Sequence, residues 1–182
     1  KNDSDARGGR VRPQNMPTSL LGKIVTPIHG LAFFIHPFSY IIALSLNKFH
    51  QPQWILNMAL PDDIAQPAWK TSLRLLACAA TLGMTSIVHR TFDHLGEQWH
   101  AIGVRPYAIV RHPMYSLLLI LELFFTVMFW SYVPFVALAI TVGAFAINIP
   151  IEENIIQMDD AVRNEYKVYK KKVLARVIPF IW

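Results

Sequence analysis

Cysteine and charge are both scarce in this chain. Cys78 is the only cysteine, which excludes a disulfide framework and a thiolate metal site. A free cysteine usually behaves as a small buried hydrophobe, so we expect Cys78 to serve packing. Only 16% of the residues are charged and 53% are hydrophobic, whereas soluble domains carry about 25% charged residues. The composition therefore predicts an integral membrane protein.

Two further absences narrow the possible functions. Residues 1–23 are polar and contain no apolar segment of the kind found in signal peptides, so we expect a solvated basic tail before a single membrane domain over residues 24–182. The seven histidines include no pair spaced three or four residues apart, the spacing that places two ligands on one helix face. We expect neither a metal nor a nucleic-acid partner.

Four apolar segments approach the length of about 20 residues that a membrane helix needs. The first is Ile24–Leu46 and the second Trp69–His89. The third and fourth share the run Pro113–Pro150, which is interrupted at residues 131–134 next to Trp130. An aromatic residue at such a turn is typical of the membrane interface. The sequence predicts an all-α membrane protein with about four transmembrane helices, the last two forming a tight hairpin.

Lysine and arginine residues are unevenly distributed between these segments. They lie in the N-terminal tail, in the loop before Pro113 and in the C-terminal segment, and none lies in the hairpin turn. Cytoplasmic loops collect such residues, so both termini are expected in the cytosol. After Pro150 the apolar and aromatic residues form one stripe: Ile155, Val162, Tyr166, Tyr169, Val173 and Val177. This predicts a C-terminal amphipathic helix on the cytosolic leaflet, or alternatively a helix that packs on the domain.

A charged and aromatic segment immediately precedes the third predicted span. A proline disfavours helix in the residue before it and is favoured at a helix start, so Arg111 and His112 are expected at the N-terminus of a helix that begins at Pro113. Free N–H groups and the helix dipole favour an anion there. If the fourth span returns over a similar length, Glu152 and Glu153 reach the same face as Arg111. Together they predict a polar site at the cytosolic membrane edge, suited to a zwitterionic ligand and a lipid.

The same residues have purely structural alternatives. Arginine near the end of a span commonly serves as an interfacial anchor, which would account for Arg111. Glu152 and Glu153 would then belong to a solvated helix end. Glu122, inside the third predicted span, is either a polar packing residue or part of a substrate tunnel. Their joint placement favours the site over these separate explanations.

In their order along the chain, these residues resemble the isoprenylcysteine carboxyl methyltransferase and phospholipid methyltransferase superfamily. The resemblance covers about residues 70–182 and rests on His100, Pro106, Tyr107, Arg111, His112, Pro113, Met114, Tyr115, Glu152, Glu153, Glu165, Tyr166, Tyr169, Val173, Arg176, Pro179 and Phe180. It implies a multi-pass enzyme of the endoplasmic reticulum membrane that uses S-adenosyl-L-methionine. It also implies that the cofactor is held on the cytosolic side, within residues 89–182.

The resemblance also implies roles for individual residues. The cofactor contacts are expected to be His100, Tyr107, His112 and Tyr115, with Tyr166 and Arg176 closing the pocket. Arg111 and one of Glu152 and Glu153 become the residues nearest the transferred methyl group. Arg105 and Leu117 stand where the family usually has glycine, so either the groove differs in shape or activity is lost.

The expected function is methylation of the C-terminal carboxylate of a prenylated cysteine. A carboxylate is already ionised at neutral pH, so its attack on a sulfonium requires positioning and desolvation rather than a base. Arg111 would orient that carboxylate bidentately. A phospholipid N-methyltransferase, the alternative, needs a base, for which Glu152 or Glu153 is available. The remaining alternatives are an NADPH-dependent membrane reductase and a non-catalytic membrane protein that keeps the fold.

Overall fold

The structure is a computed structural model that describes residues 20–61, 67–95, 107–158, 160, 162–179 and 181. Its helices are α1, Leu20–Leu46; α2, Gln53–Leu56; α3, Pro67–Leu95; α4, Pro113–Phe129; α5, Tyr132–Met158; and α6, Arg163–Lys172. Within these ranges there is no β-strand, and an isolated bridge joins Ala59 and Ser131. The all-α prediction is confirmed for the described chain.

Three helical segments are long and apolar enough to cross a membrane: Lys23–Leu46, Ala68–Arg90 and Tyr132–Met158. Helix α4 is also apolar but has only 17 residues, which corresponds to about 26 Å at 1.5 Å per residue. Large apolar side chains such as Leu31 and Leu82 are exposed, as expected of surfaces that face acyl chains. These features indicate a membrane-embedded protein with three candidate spans, where the sequence predicted about four.

The start of α4 and the break after it lie where the sequence predicted them. Helix α4 begins at Pro113, whose ring fixes φ in the helical range and whose missing N–H is not needed in a first turn. Trp130 then adopts a left-handed conformation with φ of 53°. The Oγ of Ser131 accepts a hydrogen bond from the backbone N–H of Val133 at 3.2 Å, and this bond caps the start of α5.

The C-terminal region differs from the prediction. Helix α5 continues through Pro150 to Met158, because an interior proline removes only one helical hydrogen bond and the flanking Ile149 and Glu153 are both buried. The predicted amphipathic helix is divided between the end of α5, the short α6 and a non-helical segment from residue 173. Four members of the predicted stripe are nonetheless buried: Val162, Tyr166, Val173 and Val177. This burial favours the alternative of a helix that packs on the protein.

The chain divides into two compact units. The first unit includes the described parts of Ser86–Leu117 and Phe145–Trp182, and the second consists of Val25–Thr85 and Leu118–Ala144. The sequence predicted that residues 89–182 hold the cofactor. Most of this range belongs to the first unit, but residues 118–144 belong to the second. At the N-terminal end, residues 20–23 belong to α1, while the rest of the predicted tail lies outside the described residues.

Aromatic residues make up much of the core of the second unit. The ring centroids of Phe33 and Phe125 lie 5.6 Å apart, and those of Tyr40 and Phe129 lie 4.5 Å apart. In the first unit, Phe145 and Ile149 are fully buried. Every described residue with a predicted site role belongs to this first unit.

Candidate functional site

The N-terminus of α4 is joined to the segment that follows α6. The backbone N–H of Arg111 donates to the carbonyl of Ala175 at 3.0 Å, and that of His112 donates to the carbonyl of Arg176 at 2.8 Å. These bonds satisfy backbone groups just before the helix starts. They hold the C-terminal segment in a fixed, non-helical path against the corner that Arg111 and His112 form.

Arg111 is the centre of this corner. Its side chain is 5% exposed, and its Nε donates to Glu153 Oε1 at 2.9 Å. Its Nη1 donates to the carbonyls of Val173 and Leu174, each at 2.8 Å. The sequence predicted an anion at this helix N-terminus, and a carboxylate of the same chain lies there. The guanidinium thus joins α5 to the C-terminal segment through charge-assisted hydrogen bonds.

Glu153 is surrounded by positively charged or protonatable groups. Its Oε2 lies 2.9 Å from Lys170 Nζ, while its Oε1 lies 3.6 Å from both Arg176 Nε and His112 Nε2. The residue is 2% exposed. A charge so deeply buried is tolerated only when partners of opposite sign replace its hydration. Both carboxylate oxygens are engaged, so Glu153 is poorly placed to accept a proton from a substrate.

Glu152 has a different environment from its neighbour, because its side chain is 45% exposed. Its Oε1 accepts a hydrogen bond from the hydroxyl of Tyr115, and its Oε2 lies 3.5 Å from His112 Nδ1. The rings of His112 and Tyr115 stack at 5.5 Å, and Tyr115 stacks on Phe145 at 4.1 Å. Glu152 therefore presents a partly accessible carboxylate beside two stacked aromatic faces.

Three tyrosines complete the described part of the corner. The hydroxyl of Tyr169 donates to the carbonyl of Tyr107 at 2.8 Å, and the rings of Tyr166 and Tyr169 lie 6.0 Å apart. Burial raises the pKa of Tyr107 to about 12. Burial, with a contribution from the Glu153 carboxylate, also raises the pKa of Tyr166. These two phenols stay neutral at physiological pH and so keep their hydroxyl protons.

The structure brings most of the predicted site residues together. The residues that meet in the corner are Arg111, His112, Tyr115, Glu152, Glu153, Tyr166 and Arg176. Tyr107 joins them through its carbonyl rather than its phenol. His100 and Arg105 lie outside the described residues, and Leu117 is half-buried on α4.

Two contacts were missed from the sequence. Lys170, which binds Glu153, was not among the residues predicted at the site. It follows Tyr166 by four residues and so shares a helix face with that ring. This spacing is visible in the sequence and could have placed Lys170 at the site. Ser116 Oγ donates to the carbonyl of Val177 at 2.6 Å. Because every residue has a main-chain carbonyl, such a bond cannot be predicted from the spacing of side chains.

No family model, curated protein or solved structure matches the chain. Function must therefore be argued from the chemistry of the corner itself. In the described ranges, no group of three histidine, cysteine, aspartate or glutamate residues is arranged to hold a metal ion.

S-adenosyl-L-methionine, the cofactor expected from the sequence, carries a sulfonium, an ammonium and a carboxylate group. Glu152 complements a cation, and the stacked rings of His112 and Tyr115 offer aromatic faces next to it. Arg176, whose side chain is 33% exposed, complements a carboxylate. Among the described residues, Glu152 and Arg176 thus carry charges that complement a cation and a carboxylate.

Proposed function

We propose that the protein is an S-adenosyl-L-methionine-dependent methyltransferase that acts on the C-terminal carboxylate of a prenylated cysteine. The observation that carries the proposal is the accessible Glu152 carboxylate beside His112 and Tyr115, held over the buried pair of Arg111 and Glu153. Apolar helices lead away from this corner, and a prenyl chain needs such an apolar environment. The proposal thus combines groups for a charged cofactor with the apolar helices that a lipid-linked acceptor requires.

The proposal includes a particular arrangement in the membrane. Helix α4 serves as the third of four spans, since its length of about 26 Å approaches the hydrocarbon thickness of about 30 Å. Both termini and the corner then lie in the cytosol, in agreement with the distribution of lysine and arginine. The proposed location is the endoplasmic reticulum membrane, which is what the resemblance implies.

In this mechanism the residues of the chain bind, orient and shield. When bound, the cofactor supplies a methyl group activated by a positive sulfonium. Glu152 binds the cationic part of the cofactor, and the rings of His112 and Tyr115 keep water away from it. The acceptor carboxylate needs no base because it is already ionised, so its orientation determines the rate. His100 and Tyr107 remain proposed cofactor contacts on the basis of the resemblance.

Arg111 has a modified role in this proposal. Its Nε and Nη1 are already engaged by Glu153 and by two backbone carbonyls, so a bidentate grip on an acceptor would have to displace one of them. We therefore assign Arg111 as a positioning residue that fixes Glu153 and the C-terminal segment. Besides His100 and Tyr107, the groups assigned to touch the ligands are Glu152, His112, Tyr115 and Arg176.

A phospholipid N-methyltransferase is the second candidate. The partial exposure of Glu152 favours it, because an amine acceptor must lose a proton and an accessible carboxylate can take it. Glu153, with both oxygens bound to cations, is less suited to that task. The two candidates therefore share a site and differ in whether Glu152 binds the cofactor or accepts a proton.

The test is binding of S-adenosyl-L-methionine to the purified, detergent-solubilised protein, followed by methyl transfer to a farnesylated cysteine analogue and to phosphatidylethanolamine. We expect binding, with transfer to the farnesylated analogue. Glu152→Gln should weaken binding at least about tenfold, the loss expected for a charge-assisted hydrogen bond. Asp160→Asn, the same change at an exposed position, is the matched control.

The other outcomes identify the alternatives. Transfer to phosphatidylethanolamine alone would replace the first candidate with the second. Absence of cofactor binding by folded protein would overturn both, and NADPH binding would then indicate a reductase. Protein that binds neither cofactor would be assigned to the non-catalytic class.

A further inference from the structure

A cleft of about 320 Å³ lies in the second unit between α1, α3 and α4. Small-molecule sites usually have volumes of about 300–1,000 Å³. The polar side of the cleft is formed by Tyr40, Thr71 and Arg74. The cleft takes no part in the proposed methyl transfer, whose described residues all belong to the first unit.

Arg74 is the charged group of the cleft. Its Nε donates to the carbonyl of Met128 at 2.8 Å, which fixes the plane of the guanidinium. Its two terminal nitrogens make no hydrogen bond or ion pair with any residue in the described ranges. Arg74 lies six residues after Ala68, where a candidate span begins, or about 9 Å along the helix. An arginine at this depth is costly unless its charge is paired or hydrogen-bonded, and the Met128 carbonyl occupies only its Nε.

One further hydrogen-bond donor, the hydroxyl of Tyr40, lies on the polar side of the cleft. The hydroxyl of Tyr40 accepts a bond from Gln51 Nε2 at 2.6 Å, which leaves its own proton available to donate. Thr71 contributes a second hydroxyl-bearing side chain to the polar wall. A guanidinium with a hydroxyl donor beside it is suited to a carboxylate or phosphate group.

The remaining wall of the cleft is apolar. It is formed by Leu75, Cys78, Met128 and Phe129. Methionine and aromatic side chains adapt well to flexible alkyl chains. A ligand that fills the whole cleft therefore has an anionic head and an alkyl tail.

Neighbouring residues place this cleft near a membrane interface. The rings of Trp69 and Trp130 lie 5.5 Å apart, and Lys70 Nζ lies 5.2 Å from the ring centre of Trp130. Tryptophan and lysine are enriched at the level of the lipid headgroups. The cleft thus begins where the head of a lipid meets its acyl chain.

We propose that this cleft binds a single anionic lipid, with its carboxylate or phosphate on Arg74 and its alkyl chain along Leu75, Met128 and Phe129. The site is separate from the methyl-transfer corner and does not depend on the function proposed there. A fatty acid and a phospholipid share the recognised chemistry, and the experiment distinguishes them.

The reactivity of Cys78 can report whether a lipid occupies the cleft. Cys78 is the only cysteine and lines the cleft, so a bound lipid should shield it from N-ethylmaleimide. Alkylation is followed by intact mass in detergent with oleate, oleyl alcohol, phosphatidic acid, phosphatidylcholine or inorganic phosphate. An anionic lipid at about four times its dissociation constant should slow the reaction about fivefold.

The pattern of protection tests the proposal. Protection by oleate without protection by phosphatidic acid identifies a fatty acid site, and the reverse identifies a phospholipid site. Inorganic phosphate should leave the rate unchanged because it covers only Arg74. Equal protection by oleate and oleyl alcohol, or no protection by either anionic lipid, would overturn the proposal.

Variants test the assignment of the head group to Arg74. In Arg74→Gln, oleate should protect Cys78 from N-ethylmaleimide no better than oleyl alcohol does. Arg90→Gln, the same change of charge at an exposed position of the same helix, should retain it. Protection that persists in Arg74→Gln would overturn the assignment. If Arg74→Gln does not fold, the lipid comparison on the unmodified protein still decides whether an anionic head is recognised.

Discussion

Glu153 and Glu122 are both buried carboxylates, yet their surroundings differ in kind. Glu153, in the first unit, is 2% exposed and lies 2.9 Å from the cationic groups of both Arg111 and Lys170. Glu122, in the second unit, is 1% exposed, and its Oε1 accepts no hydrogen bond from the described residues. The two side chains are therefore almost equally buried, but Glu153 is ion-paired and Glu122 Oε1 has no hydrogen-bond partner among the described residues. The first unit contains an ion network, whereas the second contains several buried polar atoms that have no hydrogen-bond partner among the described residues.

Other buried polar side chains of the second unit follow the same pattern. Thr141 is fully buried, and its Oγ1 has no hydrogen-bond partner among the described residues. Neither ring nitrogen of His36 has one within the same ranges, and the ring lies 4.7 Å from that of Phe129. A buried polar group without a partner lowers stability. Replacing Glu153 or Glu122 with leucine should therefore change the free energy of unfolding in opposite directions.

The largest effect is expected from Glu153→Leu. Loss of the Glu153 carboxylate leaves Arg111 and Lys170 without their common anion. This should lower the free energy of unfolding by about 3–5 kcal/mol. The measurement is denaturant-induced unfolding in one fixed detergent. Asp160→Leu, which removes an acid from an exposed ion pair with Arg163, should cost less than about 1 kcal/mol. Equal losses in the two variants would mean that the network contributes no more than a surface pair.

Glu122→Leu should act in the opposite direction. Replacing an unsatisfied buried carboxyl with an apolar side chain of similar size should raise the free energy of unfolding by about 1–2 kcal/mol. The same unfolding assay measures it, with Glu153→Leu as the matched comparison. A destabilised variant would contradict the contrast between the units. Higher stability together with weaker methyl transfer to a lipid acceptor would support the substrate-tunnel alternative for Glu122.

A smaller effect is expected where a neutral hydroxyl joins the C-terminal segment to α4. Ser116→Ala removes the bond to the carbonyl of Val177 and should cost about 1 kcal/mol. Limited proteolysis should then cleave the segment after α6 faster. Ser45→Ala, which removes an exposed bond within one helix, is the control and should leave the cleavage rate unchanged. No change in Ser116→Ala would show that the backbone bonds of Arg111 and His112 suffice.

Part of this structure was predictable because membrane thickness and proline chemistry are strong constraints. Pro113 fixed the expected start of α4, and the return of the chain along α5 brought Glu153 back to Arg111, although α4 has 17 residues and α5 has 27. The continuation of α5 to Met158 was not predicted. Pro150 indicated a boundary there, and the packing of the residues around it is invisible in the sequence.

The finer features of the site depend on groups that the sequence does not distinguish. Arg111 binds the main-chain carbonyls of Val173 and Leu174, which every residue possesses. Glu152 and Glu153 are adjacent and chemically identical, so their different exposure follows only from the side of α5 on which each lies. The sequence identified the pair, and the structure distinguishes the two. The activity assigned to them remains a prediction.

The bonds from Arg111 to Val173 and Leu174 also bear on the order in which the protein matures. Ribosomal synthesis delivers α4 and α5 well before residues 173–177, so the guanidinium and Glu153 can pair while those later carbonyls are still to be made. The corner is then closed by the last part of the described chain to be translated. A nascent chain stopped before Val173 would lack the two carbonyls that bind the Arg111 guanidinium, and so would lack a finished corner.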